Sequence, residues 1–177
     1  VMGTFGGLFA YLIGASFVLV GELGMSELEF GLSFSGASIG FMGGAFLGSQ
    51  IVRRLGIEHM CLIGTASTAV AGAMILTLIW SGIVTAASVM VPTVIYFFGM
   101  GLSQPNIQAG AISPFPQMAG AAASLLGLAQ YVSAGIFSIV IGIFAFDPTL
   151  LLATVMGGAG LSAFVLFLTI IWLPMKR

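Results

Sequence analysis

Apolar residues run through this chain in blocks of about twenty, and polar residues are confined to the short punctuations between them. A helix needs about 20 apolar residues to cross the roughly 30 Å hydrocarbon layer of a bilayer. Six blocks meet that length, at residues 2–20, 31–52, 60–80, 85–104, 120–144 and 150–173. The pattern therefore predicts an all-α integral membrane protein of six transmembrane helices. The punctuation is legible. "GELGMSELEF" carries Glu22, Glu27 and Glu29, and "RRLGIEH" carries Arg53, Arg54, Glu58 and His59. "SGIV" reads as a tight Ser-Gly turn, and in "FDPT" Asp147 precedes Pro148. Trp80 and Trp172 fall at predicted helix ends, where indole favours the membrane interface.

Composition settles the solvent. Hydrophobic residues make up 59% of the 177, only 5% are charged, and the mean hydropathy is +1.21. A soluble domain carries about 25% charged residues and could not cover its surface with so few. Lipid is the outer partner of such a chain. With a net charge of −1 and no basic patch, the sequence offers nothing to neutralise nucleic-acid phosphates. Cys61 and His59 are the lone cysteine and histidine, too few for a zinc site or a disulfide, so no metal or cofactor is expected. The first block lacks a basic start and is followed by further spans, unlike a signal peptide.

The charges that remain imply an orientation. Six spans put both termini on one side. Arg53 and Arg54 follow span two, and Lys176 and Arg177 follow span six, so all four basic residues share that face. The positive-inside rule makes it cytoplasmic. Glu22, Glu27, Glu29 and Asp147 fall on the other face. None of the six windows contains a charged residue, so no proton or ion relay is visible within them.

Glycine punctuates span two at every fourth residue: Gly36, Gly40, Gly44 and Gly48. That spacing keeps them on one helix face, where a neighbouring backbone can approach closely, for static packing or for two helices to rock. Span five repeats the device with Ala119, Ala123, Gly127, Tyr131 and Gly135. Matching small-residue faces in the second helix of each triplet suggest a three-plus-three repeat, over 1–83 and 84–177, within one domain covering 1–177.

Between spans four and five stands "SPFPQMAG". Pro114 disfavours helix at Ser113, as Pro116 does at Phe115. Pro116 suits the first turn of span five, and Pro105 is expected to end span four with Asn106 just beyond it. The connector is uncharged and falls on the cytoplasmic side.

The stretch "GLSQPNIQAGAISPFPQMAGAAASLLGLAQ" resembles the signature of the Bcr/CflA drug-efflux branch of the major facilitator superfamily. The matching positions are Pro105 and Asn106, then Pro114, Phe115 and Pro116, followed by Ala119, Gly120, Ala122 or Ala123, Ser124, Leu125, Gly127 and Gln130. "FGGLFAYLIGASFVLVGELGMSELEFGLSF" is similar to the helix that opens the second half of such transporters. "GSQIVRRLG" resembles a relic of the inner-loop motif, with Gly48 or Ser49, Arg54 and Gly56 in place. Arg53 stands where the motif's aspartate would be, which leaves Arg53 and Arg54 as topology anchors.

The resemblance implies one half of a twelve-helix fold, two inverted three-helix repeats, with the N-terminal six-helix half as its partner. A start at Val1 directly on a span fits such a fragment. It implies proton-coupled efflux of drugs or other lipophilic small molecules from a bacterial inner membrane by alternating access. The coupling acid would lie in the N-terminal half. It also implies a substrate cavity lined by spans one, two, four and five. The candidates there are Phe9, Tyr11 and Ser16, then Ser35 and Ser38, then Tyr96, and finally Gln130 and Tyr131. Serines in membrane helices often bond their own i−4 carbonyl, and tyrosines can face a neighbouring helix. Gln130 is the strongest, because a carboxamide in hydrocarbon must meet a helix, water or ligand. The ten methionines read as packing filler. The alternative is a self-sufficient six-helix transporter or channel that dimerises and carries a non-drug metabolite. An intramembrane enzyme would need a histidine within a span, and His59 is expected in a loop.

Overall fold

A computed structural model describes residues 2–143 and 147–173. It is all helix among the described residues. Five helices are long and apolar enough to cross a membrane. Helix α1 spans Met2–Ser16 and runs on as a wider π-helical stretch, Phe17–Glu22. Helix α2 spans Glu27–Trp80, α3 Ala86–Ile112, α4 Ala119–Ile143, and α5 Pro148–Phe167 with a π-helical extension Leu168–Trp172. Lys176 and Arg177 lie outside the described residues, as does Phe144, the predicted end of span five.

Local chemistry explains where the helices start. Ser26 caps α2 by accepting from the Glu29 amide, while the Glu29 carboxylate accepts from the Ser26 amide at 2.8 Å. Thr85 and Ser88 make the equivalent reciprocal pair at the start of α3. Asp147 caps α5 by accepting from the Leu150 amide at 3.0 Å, with Pro148 in the first helical position.

At 54 residues, α2 would be about 80 Å long if straight, well over twice the hydrocarbon thickness. It is not straight. Gly56 has φ 83° and ψ 162°, a conformation open essentially only to glycine, and the helix breaks there. The packing of the two arms gives their directions. In the first arm, Gly40 faces Val94, Gly44 faces Phe98 and Gly48 faces Leu102, so this arm runs parallel to α3. In the second, Gly64 lies against Ser103 and Thr68 against Gly99, so it runs antiparallel. The two arms therefore fold back around α3 on a one-residue reversal. The expected loop from Arg53 to His59 is thereby corrected. Arg53 and Arg54 are exposed on the last turn of the first arm, and Glu58 and His59 on the first turn of the second.

The second correction concerns Pro105. Helix α3 does not end there but continues to Ile112, with Pro92 and Pro105 both inside it. Proline removes an amide and crowds the carbonyl four residues back, which here belongs to side-chain-free Gly101. The Asn106 side-chain amide donates to the next carbonyl, Leu102 O, at 2.7 Å. Ser113 likewise stays helical despite Pro114, while Phe115 leaves the helix at φ −121°, ψ 56°. Pro116 then opens a single 3₁₀ turn, Pro116–Met118, that leads straight into α4.

The core joins Tyr11 of α1, Ile75 of the second arm, Val89, Tyr96 and Phe97 of α3, and Leu152 and Met156 of α5. Glycines set the close approaches. Gly72 meets Gly157, and Gly101 meets the backbone at Phe41 and Ala45. Helix α4 is the peripheral element. In its most apolar stretch 11% of residues are buried, against 61% in α3. The poles are also defined. Thr149 donates to the Glu22 carboxylate at one end, and His59 meets Trp172 edge-on at 5.1 Å at the other.

Candidate functional site

A cleft of about 350 Å³ opens between α1, the first arm of α2, and α3. Its walls are Phe5 and Leu8 from α1, Phe41 and Met42 from the first arm, and Phe97 and Met100 from α3. Three polar side chains interrupt them: Ser38, Gln104 and Gln108. Helical spacing places the α3 residues together, since 97, 100, 104 and 108 share one face. The continuation of α3 through Pro105 is what brings Gln108 into line.

The polar groups differ in what they leave open. Ser38 spends its proton on Phe34 O, four residues back, at 2.9 Å. Gln104 is buried, and its Oε1 accepts from the Thr4 hydroxyl at 3.3 Å. Its Nε2 has no hydrogen-bond partner among the described residues. Buried amide donors are almost always paired, so this one marks a vacancy in the hydrogen-bonding of the cleft wall. No charged side chain lines the cleft among the described residues. It is a mostly apolar slot, suited to a small lipophilic molecule.

Of the expected cavity residues Ser38 lines the cleft, and the others fall elsewhere. Tyr11 and Tyr96 are corrected to core residues. Tyr11 is fully buried, edge-on to Phe97 at 5.6 Å, with its hydroxyl 3.3 Å from Ser33 Oγ. Tyr96 fills the space left by Gly7 and Gly160, and its hydroxyl donates to Thr4 O at 3.4 Å. Large aromatic rings find more contact in the bundle than at its surface. Ser16 and Ser35 donate to the carbonyls of Ile13 and Gly31 in their own helices. Phe9 stacks on Phe5 at 6.3 Å beside the cleft rather than in its wall. Gln130 is buried with its Nε2 also unpartnered among the described residues, yet it is not part of this cleft, and Tyr131 is exposed. Of the glycine faces, Gly40, Gly44 and Gly48 meet α3, whereas no described atom would meet a Cβ on Gly36, Gly127 or Gly135.

The sequence reading passed over Phe5, Leu8, Phe41, Met42, Phe97, Met100, Gln104 and Gln108. The available signal was the 3-4-4 spacing from Phe97 to Gln108, hidden by the expectation that Pro105 ends the helix.

No family model matches the chain, and no solved structure does. Two curated relatives do. Over 98 residues, 54% of this chain, it is 32% identical to multidrug resistance protein D of Escherichia coli K12. Over 161 residues, 87% of this chain, it is 29% identical to the bicyclomycin resistance protein homolog of Haemophilus influenzae Rd. The matched regions span 23% and 38% of those two proteins, so the chain covers less than two fifths of either. Long apolar helices, the proline motif and these relatives agree: the chain is an integral membrane protein homologous to efflux proteins of the Bcr/CflA type.

Proposed function

We propose that this chain is the C-terminal six-helix half of a drug exporter and that the cleft is its share of the substrate cavity. In this reading α1, the two arms of α2, α3, α4 and α5 each cross the membrane once, as two inverted triplets at 1–83 and 84–177. The first-arm face at Gly36 and the α4 face at Gly127 and Gly135, bare among the described residues, pack against the N-terminal half. The two halves rock about the cleft in alternating access. Arg53 and Arg54 mark the cytoplasmic side of a bacterial inner membrane, and both termini lie there. Proton coupling is assigned to an acid in the other half, because no charged side chain lines the cleft among the described residues.

The observation that carries this reading is the cleft itself, walled mostly by apolar side chains with Ser38, Gln104 and Gln108 among them. Its supports are the names of the relatives, which speak of multidrug and bicyclomycin resistance. The test is expression of the complete reading frame that contains this chain in a bacterial strain stripped of its major pumps. Resistance to lipophilic drugs and dye extrusion that collapses with the pH gradient are expected. No change in either sinks the exporter reading, and a stable complex of two identical chains by native mass measurement favours the dimer instead.

A further inference from the structure

We propose a second ligand site at the pole where α2 reverses: a pocket for a lipophilic amine whose ammonium pairs with Glu58. A hollow of about 420 Å³ opens there between the start of the second arm, the end of α3 and the end of α5. Cys61 and Phe167 form its floor, at 3% and 6% exposure. Ile57, Glu58, Ala111 and Ile171 are exposed and form its rim. The residues next to two of these, His59 and Trp172, meet edge-on at 5.1 Å and tie the second arm to α5 across the mouth. From α3 the hollow takes Asn106, Ile107, Gly110 and Ala111, a different face from the one that lines the cleft. The site therefore stands apart from the cleft and from the exporter reading.

The sign of the ligand follows from the one ionised group in the lining. Glu58 stands one turn before Cys61 on the same helix face, and its charge reaches the Cys61 thiol in the floor. It has no hydrogen-bond or ion-pair partner among the described residues, and no lysine, arginine or histidine lines the pocket among them. Asn106 spends one Nδ2 proton on Leu102 O and keeps a neutral amide that accepts or donates alike, so the carboxylate sets the charge. An anion is repelled, a neutral ligand leaves Glu58 to water, and an ammonium donates to it. A phospholipid does not meet these terms, because nothing basic in the lining answers its phosphate. The apolar floor takes a ring system or short chain, and the volume is that of a pocket for a small molecule. With the carboxylate at the rim, the ammonium keeps part of its hydration, so pairing costs little desolvation and gains only modestly. The apolar body supplies most of the binding and the charge supplies the preference.

The probes are 1-naphthylmethylamine, an ammonium at neutral pH, and 1-naphthalenemethanol, the same rings with a hydroxyl. The complete protein, purified in mild detergent, is titrated with the tritiated amine in a scintillation proximity assay, with each unlabelled compound as competitor. The wild type is expected to bind the amine about fivefold more tightly than the alcohol, the scale of a solvated ion pair. The preference should fade from low to high salt. Glu58→Gln should bring the two compounds within about 1.5-fold of each other, by weakening the amine alone. Ala111→Trp, which fills the mouth, should remove the binding that Glu58→Gln weakens. Equal binding of both compounds by the wild type, or binding of neither, overturns the proposal. A preference that survives Glu58→Gln puts the amine elsewhere and overturns it too. So does short-chain phosphatidylethanolamine that displaces the probe better than the unlabelled amine, which would give the pocket to lipid. Should Glu58→Gln not fold, judged by gel filtration, full amine binding by Ala111→Trp overturns the site. Drug resistance in pump-stripped cells tests the exporter reading separately from all of these.

Discussion

Replacing Gly44 and Gly48 by alanine, one at a time, separates backbone contact from mere periodicity. The two glycines lie one turn apart on the same face of the first arm, and both point at α3. A Cβ built on Gly48 would sit 3.6 Å from Leu102, ordinary van der Waals contact. On Gly44 it would lie 3.0 Å from Phe98 C and 3.1 Å from Leu102 N, and closer still to Phe98 O. Those atoms are backbone and cannot swing aside. Gly101 makes the same demand from the opposite helix, against the backbone at Phe41 and Ala45, so neither partner has slack.

The magnitudes follow. Each glycine-to-alanine change in a helix gains up to about 1 kcal/mol of propensity. At Gly48 that gain stands nearly alone. At Gly44 the helices must separate, an overpacking cost of about 1–3 kcal/mol that also loosens the contacts around Leu102. The two variants should differ by about 2 kcal/mol or more, which by the scale of soluble domains is about 4–8 °C in melting temperature. Thermal unfolding in mild detergent, followed by the loss of the monodisperse gel-filtration peak, reads this directly. If Gly44→Ala melts no lower than Gly48→Ala, the first arm and α3 do not touch backbone to backbone, and the parallel docking of this arm is wrong.

Gly56→Ala should cost about 1–3 kcal/mol despite open space around the residue, because a side chain is strained at its φ; circular dichroism melting that matches wild type would remove the one-residue reversal. Asn106→Ala should destabilise by about 1 kcal/mol, by leaving Leu102 O without its side-chain donor beside Pro105, whereas Asn106→Gln should recover little; urea or thermal denaturation in detergent distinguishes them. Tyr96→Phe should lower stability by about 1 kcal/mol or less and leave drug transport intact, since the hydroxyl serves Thr4 O and not the cleft; a transport loss without a stability loss would return Tyr96 to the cavity.

Span positions were legible because hydrocarbon imposes a length, and the described residues of the predicted blocks are helical but for Thr85, the cap of α3. Their ends were less so. The break between the first two blocks of α2 was expected to be a charged loop, since four of its seven residues are ionisable, yet one glycine in a rare conformation does the turning and the charged residues stay helical. Pro105 misled in the opposite direction. Proline often ends a helix, but α3 continues through it, with the Asn106 side chain donating to Leu102 O, the carbonyl next to the one that Pro105 frees. The glycine ladder read from Gly36 to Gly48 was a sound guide to a face, but period alone does not say how far along the face a neighbour extends. In this chain the neighbour begins at Gly40.

The placement of the candidate residues turns on a distinction that bears on any membrane helix. Polarity was taken as the mark of function, so hydroxyls and amides were weighed together. In hydrocarbon the useful distinction is whether a group can close its own hydrogen bonds. Ser16, Ser35, Ser38, Ser49, Thr65 and Ser67 all donate to a carbonyl three or four residues back and have no proton left to offer. Tyrosine is too long for that, and both buried tyrosines reach other helices instead. A carboxamide on a three-bond stem cannot satisfy both donors locally. Gln104 and Gln130 are accordingly the residues whose buried Nε2 atoms lack partners among the described residues. Only Gln104 stands in an apolar cleft wide enough for a ligand. Where hydroxyls are self-contained, an open valence next to empty space carries more functional information than the polar residue count of a helix face.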